Sequence, residues 1–217
     1  MQIVTLEETE FDNFAINHPL CNYYQSSYYG KFMTKHGYNA YYLGLSDDFN
    51  NIKAATLIIV KNESSTRIKT AYAPRGFLID WDDKQLVREF TEKIKDYLEK
   101  RNFAYLKVDP KIILKEYNFD GSKEDSYYND TFSKDMEELG YVELTDSNYK
   151  PAKPKWDTLI NLDSDINHLY KTFSRQAREK IIKANNVGNK VYKGNIDDMS
   201  LFYELLDNNR PFVFGRL

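Results

Sequence analysis

Apolar and polar positions follow a helical period of about 3.6 residues in some stretches of the chain and a strand period of 2 in others, and the switches between them mark out its elements. Phe11, Phe14 and Ala15 form an apolar stripe, and Thr5 with Glu8 has capping-box spacing, so a first helix is expected near 6–17. His18-Pro19 ends it. Gln25-Ser26-Ser27 offers a cap for a second helix, about 27–36, which Gly37 stops. Three strand-like runs follow, Tyr38–Leu45, Ile52–Lys61 and Thr66–Tyr72, joined by polar connections of hairpin character. Ala73-Pro74-Arg75-Gly76 reads as a turn and Phe77–Ile79 as a short strand. Asp82 or Asp83 then caps a long amphipathic helix, in which Leu86, Val87, Phe90, Ile94, Tyr97 and Leu98 recur at helical spacing. The strand Phe103–Val108 stops at Asp109-Pro110, because proline cannot donate to a ladder.

Residues 111–128 read as irregular and polar. Asn129 or Asp130 opens a helix to Leu139, with Gly140 placed as its stop and a strand expected at Tyr141–Leu144. The stretch Asp146–Lys155, with two prolines and three lysines, is the best linker in the chain. Beyond it the pattern predicts a strand Trp156–Leu162, helices over 164–173 and 174–186, a strand Lys190–Lys193 and a helix over 197–208. The expected class is α+β, with one domain over 1–150 and a second, opened over 151–217, that Leu217 cuts short. Three strands followed by a helix resemble an acetyltransferase core, a mixed sheet flanked by helices. The glycine-rich turn that would cradle a coenzyme A pyrophosphate is missing between Tyr72 and Asp83, so a coenzyme A-dependent acyltransferase is the weaker enzymatic reading.

Composition narrows the class further. Eighteen Tyr and 13 Phe supply a core and many hydroxyl-tipped surfaces. No run of about 18 apolar residues exists to span a membrane. Met1 to Glu10 is acidic and lacks the order of a secretory signal, so the expected compartment is the cytoplasm. Cys21 is the single cysteine, which excludes an internal disulfide and a cysteine-based zinc site. His18, His36 and His168 lack metal spacing, and neither a nucleophile elbow nor a Walker loop is present, so neither metal nor cofactor is expected. The net charge of −3 is unevenly spread. Ten Lys or Arg against four acids make Lys150 to Lys193 +6 and leave the remainder at −9. Such a segment can meet phosphates or can be a solvated helix face.

Four local patterns carry a stronger message. Tyr24-Gln25-Ser26-Ser27-Tyr28-Tyr29-Gly30-Lys31 resembles the Q-S-x-x-W-G-x-x-K opening of the FemABX peptidoglycan aminoacyltransferases. Tyr72-Ala73-Pro74-Arg75-Gly76-Phe77 looks like their Y-A-P-R-G-P turn, and Leu106-Lys107-Val108-Asp109-Pro110 resembles their strand ending in R-x-D-P. Arg178-Glu179-Lys180-Ile181-Ile182-Lys183-Ala184 before Gly188 is similar to the basic helix that opens their second half. Each pattern alone is weak, but the four agree in order and spacing over about 20–210. Tyr29 stands where the family has tryptophan and Phe77 where it has proline.

The resemblance implies two acetyltransferase-like halves that transfer an aminoacyl group from a charged tRNA to an amine of a lipid-linked or UDP-linked muropeptide. It implies Asp109 as the residue that orients or deprotonates that amine, against a structural cap before Pro110. Lys31 is implied as a contact to the acceptor's diphosphate, against an exposed helix lysine. Arg75 would bind an anion or hold its own turn, and Arg210 matches a second phosphate-contact stretch in part. Arg175, Arg178, Lys180 and Lys183 would meet tRNA or the anionic inner membrane face, against a solvated surface. A non-enzymatic binding module is the remaining alternative.

Overall fold

Seven consecutive residues, Ala54 to Val60, are buried in the strand Ile52–Lys61, which demands cover on both faces. A computed structural model of the chain shows how that cover is built. It describes all residues except 62–68, 119, 129–130, 145–156, 158 and 214–217, and only the backbone over 124–128 and 209–213. The chain divides into two compact units, Met1–Tyr149 and Lys150–Leu217.

In the first unit, strands β1 (Gln2–Thr5), β2 (Tyr38–Ser46), β3 (Ile52–Lys61), β4 (Lys69–Ala73) and β5 (Phe103–Val108) form one sheet in the order β1-β2-β3-β4-β5. The first four are antiparallel and β4–β5 is parallel, so the sheet is mixed. Helix α1 (Glu8–Ile16) and helix α2 (Ser27–Lys35) cover one face, where Leu6, Phe11, Ala15, Tyr42, Leu57, Ile59 and Leu78 pack together. Helix α3 (Lys84–Glu99) covers the other with Val87, Phe90, Ile94 and Leu98, against Leu43, Leu45, Ile58, Val60 and Phe77. Period-2 alternation sends Tyr42 one way and Leu43 the other, and Leu57 and Ile58 likewise. The expected mixed sheet flanked by helices is therefore present. Asp83 caps α3 by accepting from Leu86 N–H at 3.0 Å.

Several boundaries differ from expectation for identifiable reasons. Gln2–Thr5 pairs with β2, so the first helix starts later; its capping box is Glu7 with Glu10, not Thr5 with Glu8. Part of the expected strand Thr66–Tyr72 lies outside the described residues, and the observed β4 runs to Ala73. Phe77–Ile79 contributes a single bridge, Leu78 to Ala55. Residues 111–128 are not wholly irregular, because β6 (Lys115–Tyr117) and β7 (Lys123–Tyr128) form a hairpin. Its signal is Asp120-Gly121: Gly121 has φ +85°, and Asp120 accepts from Ser122 N–H at 2.8 Å. Residues Asn129 and Asp130 lie outside the described residues, and helix α4 spans Phe132–Glu138. The strand expected at Tyr141–Leu144 does not form. Tyr141 instead turns inward, its hydroxyl 3.1 Å from that of Thr91 on α3.

The second unit contains α5 (Ile166–Thr172), α6 (Arg175–Asn186), a 3-10 turn (Ile196–Asp198) and α7 (Met199–Val213). Asp165 and Ser174 cap α5 and α6, close to the expected starts. The expected linker 146–155 lies outside the described residues, as do Trp156 and Thr158. Among the described residues of this unit no strand forms, so Lys190–Lys193 and the described part of Trp156–Leu162 depart from expectation. A strand needs a neighbour to hydrogen-bond, and the described residues of this unit offer none beside them.

Phe90 is fully buried and meets the ring of Phe77 edge-on at 4.7 Å. Phe90→Ala is expected to lower the stability of the first unit by about 3–5 kcal/mol, read as a lower midpoint in urea unfolding followed by circular dichroism.

Candidate functional site

Because β4 and β5 are parallel and joined through α3, their carboxyl ends lie side by side, with Ala73 opposite Val108. Open α/β sheets gather ligand sites at such ends. The next residues out are Pro74 and Arg75 on one strand and Asp109 on the other. The half-buried Asp109 carboxylate accepts from Arg75 N–H at 2.6 Å through one oxygen and from the Tyr72 hydroxyl at 2.9 Å through the other. Charge-assisted bonds of this kind fix a carboxylate's orientation.

Arg75 can point its N–H at Asp109 because its backbone is left-handed, at φ +53°. Side chains from the segment before α2 hold this turn. Gln25 is fully buried, and its carboxamide donates to Pro74 C=O at 2.8 Å and Leu57 C=O at 3.2 Å while accepting from Leu57 N–H at 2.8 Å. Asn22 donates to Arg75 C=O at 3.3 Å and accepts from Tyr24 and Gln25 N–H. Gly76 is required by close approach: a Cβ there would lie 2.9 Å from Thr56 Oγ1 and 3.0 Å from Gln25 Nε2.

Helix α2 is placed as tightly. Ser26 caps it, accepting from Tyr29 N–H at 3.2 Å, and Asp12 on α1 accepts from Ser27 N–H at 2.8 Å. Gly30 lets the helix sit on Tyr42, since a Cβ there would collide with the phenol oxygen. The helix carries an aromatic cluster in which Tyr29 meets Tyr24 at 5.2 Å, Tyr23 at 5.6 Å and Phe32 at 6.3 Å between ring centroids. Burial raises the pKa of the Tyr29 phenol, and neighbouring phenols and the Asp109 charge add to the rise. Tyr29 therefore stays protonated near the carboxylate. The Lys107 ammonium, from the strand position paired with Tyr72, sits 4.9 Å from the centre of the Tyr72 ring.

The structure joins two of the residues singled out from sequence, Arg75 and Asp109, and the bond it gives them comes from the Arg75 backbone. Lys31 stands apart from that bond, exposed and 2.6 Å from Glu8 on α1, which raises its pKa. The lysine of the Q-S-x-x-W-G-x-x-K pattern, counted from Gln25, falls at Met33, which packs against the core. In the second unit Arg175 pairs with Glu179 at 2.8 Å on α6, and Arg178, Lys180 and Lys183 lie on the same helix. Arg210 falls on α7, and its side chain lies outside the described residues. Sequence reasoning gave no role to Gln25, Asn22 or Tyr72. All three were within or beside the quoted motifs, and the proline after β4 was the signal that a ladder partner had to come from elsewhere.

An α+β unit with a carboxylate fixed beyond its parallel strand pair defines a fold, and comparison with known proteins supplies the family. The model of the FemAB family matches residues 6–210, and the chain belongs to that family. It is 28% identical over 211 residues to aminoacyltransferase FemB of Staphylococcus epidermidis, covering 94% of this chain and 49% of that protein. Aminoacyltransferase FemA of Staphylococcus aureus is 23% identical over 230 residues, with 100% and 54% covered. The crystal structure of FemX superposes with a TM-score of 0.73 at 18% identity, over 100% of this chain and 52% of that one, a likeness of fold. The chain thus spans about half the length of the curated relatives it matches.

Burial raises the Tyr42 phenol from 10.0 to about 12, with the Glu8 and Asp12 charges adding to the rise. Its folded pKa exceeds the unfolded one, so its contribution to stability is complete below pH 10.0 and is lost as pH rises toward about 12. Unfolding free energy should fall across that window. Tyr42→Phe should make the fall shallower, as measured by urea unfolding at a series of pH values.

Proposed function

We propose that the protein acts as a tRNA-dependent aminoacyltransferase of peptidoglycan bridge formation. In this reading it moves an amino acid from aminoacyl-tRNA to an amine on the stem peptide of a lipid-linked or UDP-linked precursor. The observation that carries it is the two-point hold on Asp109 by Arg75 N–H and the Tyr72 hydroxyl, in a chain of the FemAB family. Membership and the relatives' name, aminoacyltransferase, support the reaction class.

The donor is an activated ester, so the enzyme's task is to hold a neutral amine against the ester carbonyl. Orientation of that kind supplies about 7–11 kcal/mol in favourable intramolecular cases. The amine nitrogen forms the new C–N bond, the ester C–O bond breaks, and the alkoxide of the tRNA ribose leaves. Asp109 accepts a hydrogen bond from the attacking amine and takes its proton, which passes on to the leaving oxygen. Lys31, first released from Glu8, is the proposed contact for the acceptor's diphosphate; the Arg75 side chain is proposed to bind an anion, and Arg210 to make a separate phosphate contact. Arg175, Arg178, Lys180 and Lys183 on α6 are proposed to meet the phosphates of tRNA or of the inner membrane face, placing the protein in the cytoplasm with peripheral attachment. No described helix is long and apolar enough to cross a membrane. The chain is proposed to comprise two acetyltransferase-like halves, with the boundary in sequence near 150.

Full-length protein should transfer radiolabelled glycine, alanine or serine from its charged tRNA to a muropeptide acceptor. Asp109→Asn should lower that rate by about 10²–10⁴-fold with the fold retained by circular dichroism. Absence of transfer from all three tRNAs would overturn the reading.

A further inference from the structure

The pairing of β3 contains an offset that assigns a task to Gln25. Ile59 of β3 faces Tyr72 of β4, and the same antiparallel register continued would set Leu57 opposite Pro74 and Ala55 opposite Gly76. Ala55 instead faces Leu78, two residues further on, exchanging both backbone hydrogen bonds with it at 3.0 and 2.9 Å. The chain between β4 and Leu78 therefore bows away from β3, and Pro74 has no N–H to give Leu57 in any case. Gln25 fills the gap. Its carboxamide exchanges two bonds with Leu57, as a strand residue would, and spends its second N–H on Pro74 C=O. The bow is the segment that carries Arg75, whose N–H holds Asp109.

We propose that Gln25 is a positioning residue for the transfer reaction: its amide holds the Pro74–Gly76 bow off β3 so that Arg75 N–H meets the Asp109 carboxylate. This rests on the reaction proposed above, but the placement of Arg75 can be read without turnover. A plain core role for Gln25 would require only that it fill space. Instead, the three backbone groups it serves are the two that the register leaves without a strand partner on β3 and the carbonyl directly before Arg75.

Two measurements on the full-length protein test this. Amide hydrogen exchange at Arg75 should quicken about 10-fold or more in Gln25→Ala, while the β3 amides of Ile58 and Val60 keep their protection. The transfer assay should show kcat down by about 100-fold with the acceptor KM little changed, the size expected when a reacting group shifts by about 1 Å. Because Gln25 acts through Asp109, adding Gln25→Ala to Asp109→Asn should lower kcat by much less than it does alone; independent structural damage would multiply. If Gln25→Ala does not fold, Gly76→Ala provides the second variant, since the added methyl presses on Gln25 Nε2 and Thr56 Oγ1. Unchanged Arg75 exchange in the folded variants, or multiplicative losses in the double variant, overturns the proposal. Faster Arg75 exchange in a protein that transfers nothing upholds the placement and removes the reaction, so the two failures are told apart.

Discussion

A single buried carboxamide, that of Gln25, joins the three parts of the first unit on which the site depends. Its bonds run to β3 at Leu57 and to the turn at Pro74, and its own backbone leads directly into α2. A buried backbone group left without a partner costs about 1–3 kcal/mol, and removing Gln25 would take their partner from Leu57 N–H and Pro74 C=O and leave Leu57 C=O only the Thr56 hydroxyl at 3.3 Å. No apolar side chain of similar volume can substitute, because the gap it fills is polar on two sides. That constraint ties the start of a helix to the middle of a sheet across 32 residues of sequence.

The topology does the rest. An antiparallel β4–β5 pair would place Tyr72 and Asp109 at opposite ends of the sheet, whereas the crossover through α3 brings the two strand ends together. Asp109 is then held by a backbone N–H and a phenol, both on or next to rigid strands. The contrast with Lys31 is instructive. Its pair with Glu8 is between exposed side chains, where solvent screening leaves little net attraction. One arrangement is built into the fold; the other can be exchanged for a ligand at small cost.

Much of this was legible in the sequence, and the exceptions have a common cause. The stripe Val87, Phe90, Ile94 and Leu98 predicts α3, and the strand-like run Ile52–Lys61 predicts β3, because burial is written in the pattern of apolar positions. Asp109 could be singled out because it ends a strand before proline. Gln25 could not be given its role, since the gap it fills arises from a register offset between segments distant in sequence. Local rules also ranked signals wrongly. Thr5 with Glu8 and Glu7 with Glu10 both have capping-box spacing, and pairing of Gln2–Thr5 with β2 decided between them. Asp120-Gly121 was present as a hairpin signal in a stretch whose polarity argued for a loop.

The second unit shows the same division from the other side. Its helices begin where caps place them, at Asp165, Ser174 and Asn195, each cap worth about 1 kcal/mol. None of the described residues of α5 or α6 is buried, and helices this short are marginal in water without a packed face. The described residues of the stretches expected to be strands are the ones that stay irregular, with Leu162 75% and Val191 fully exposed. Their pattern is no weaker than that of β5, which does form. What differs is the neighbour: β5 has β4 at hydrogen-bonding distance, and the described residues of the second unit offer no strand edge to Leu162 or Val191. A helix can be specified by the dozen residues within it and its cap. A strand is specified only together with its partner, so in this chain the reliability of the pattern follows the presence of the partner and not the strength of the signal.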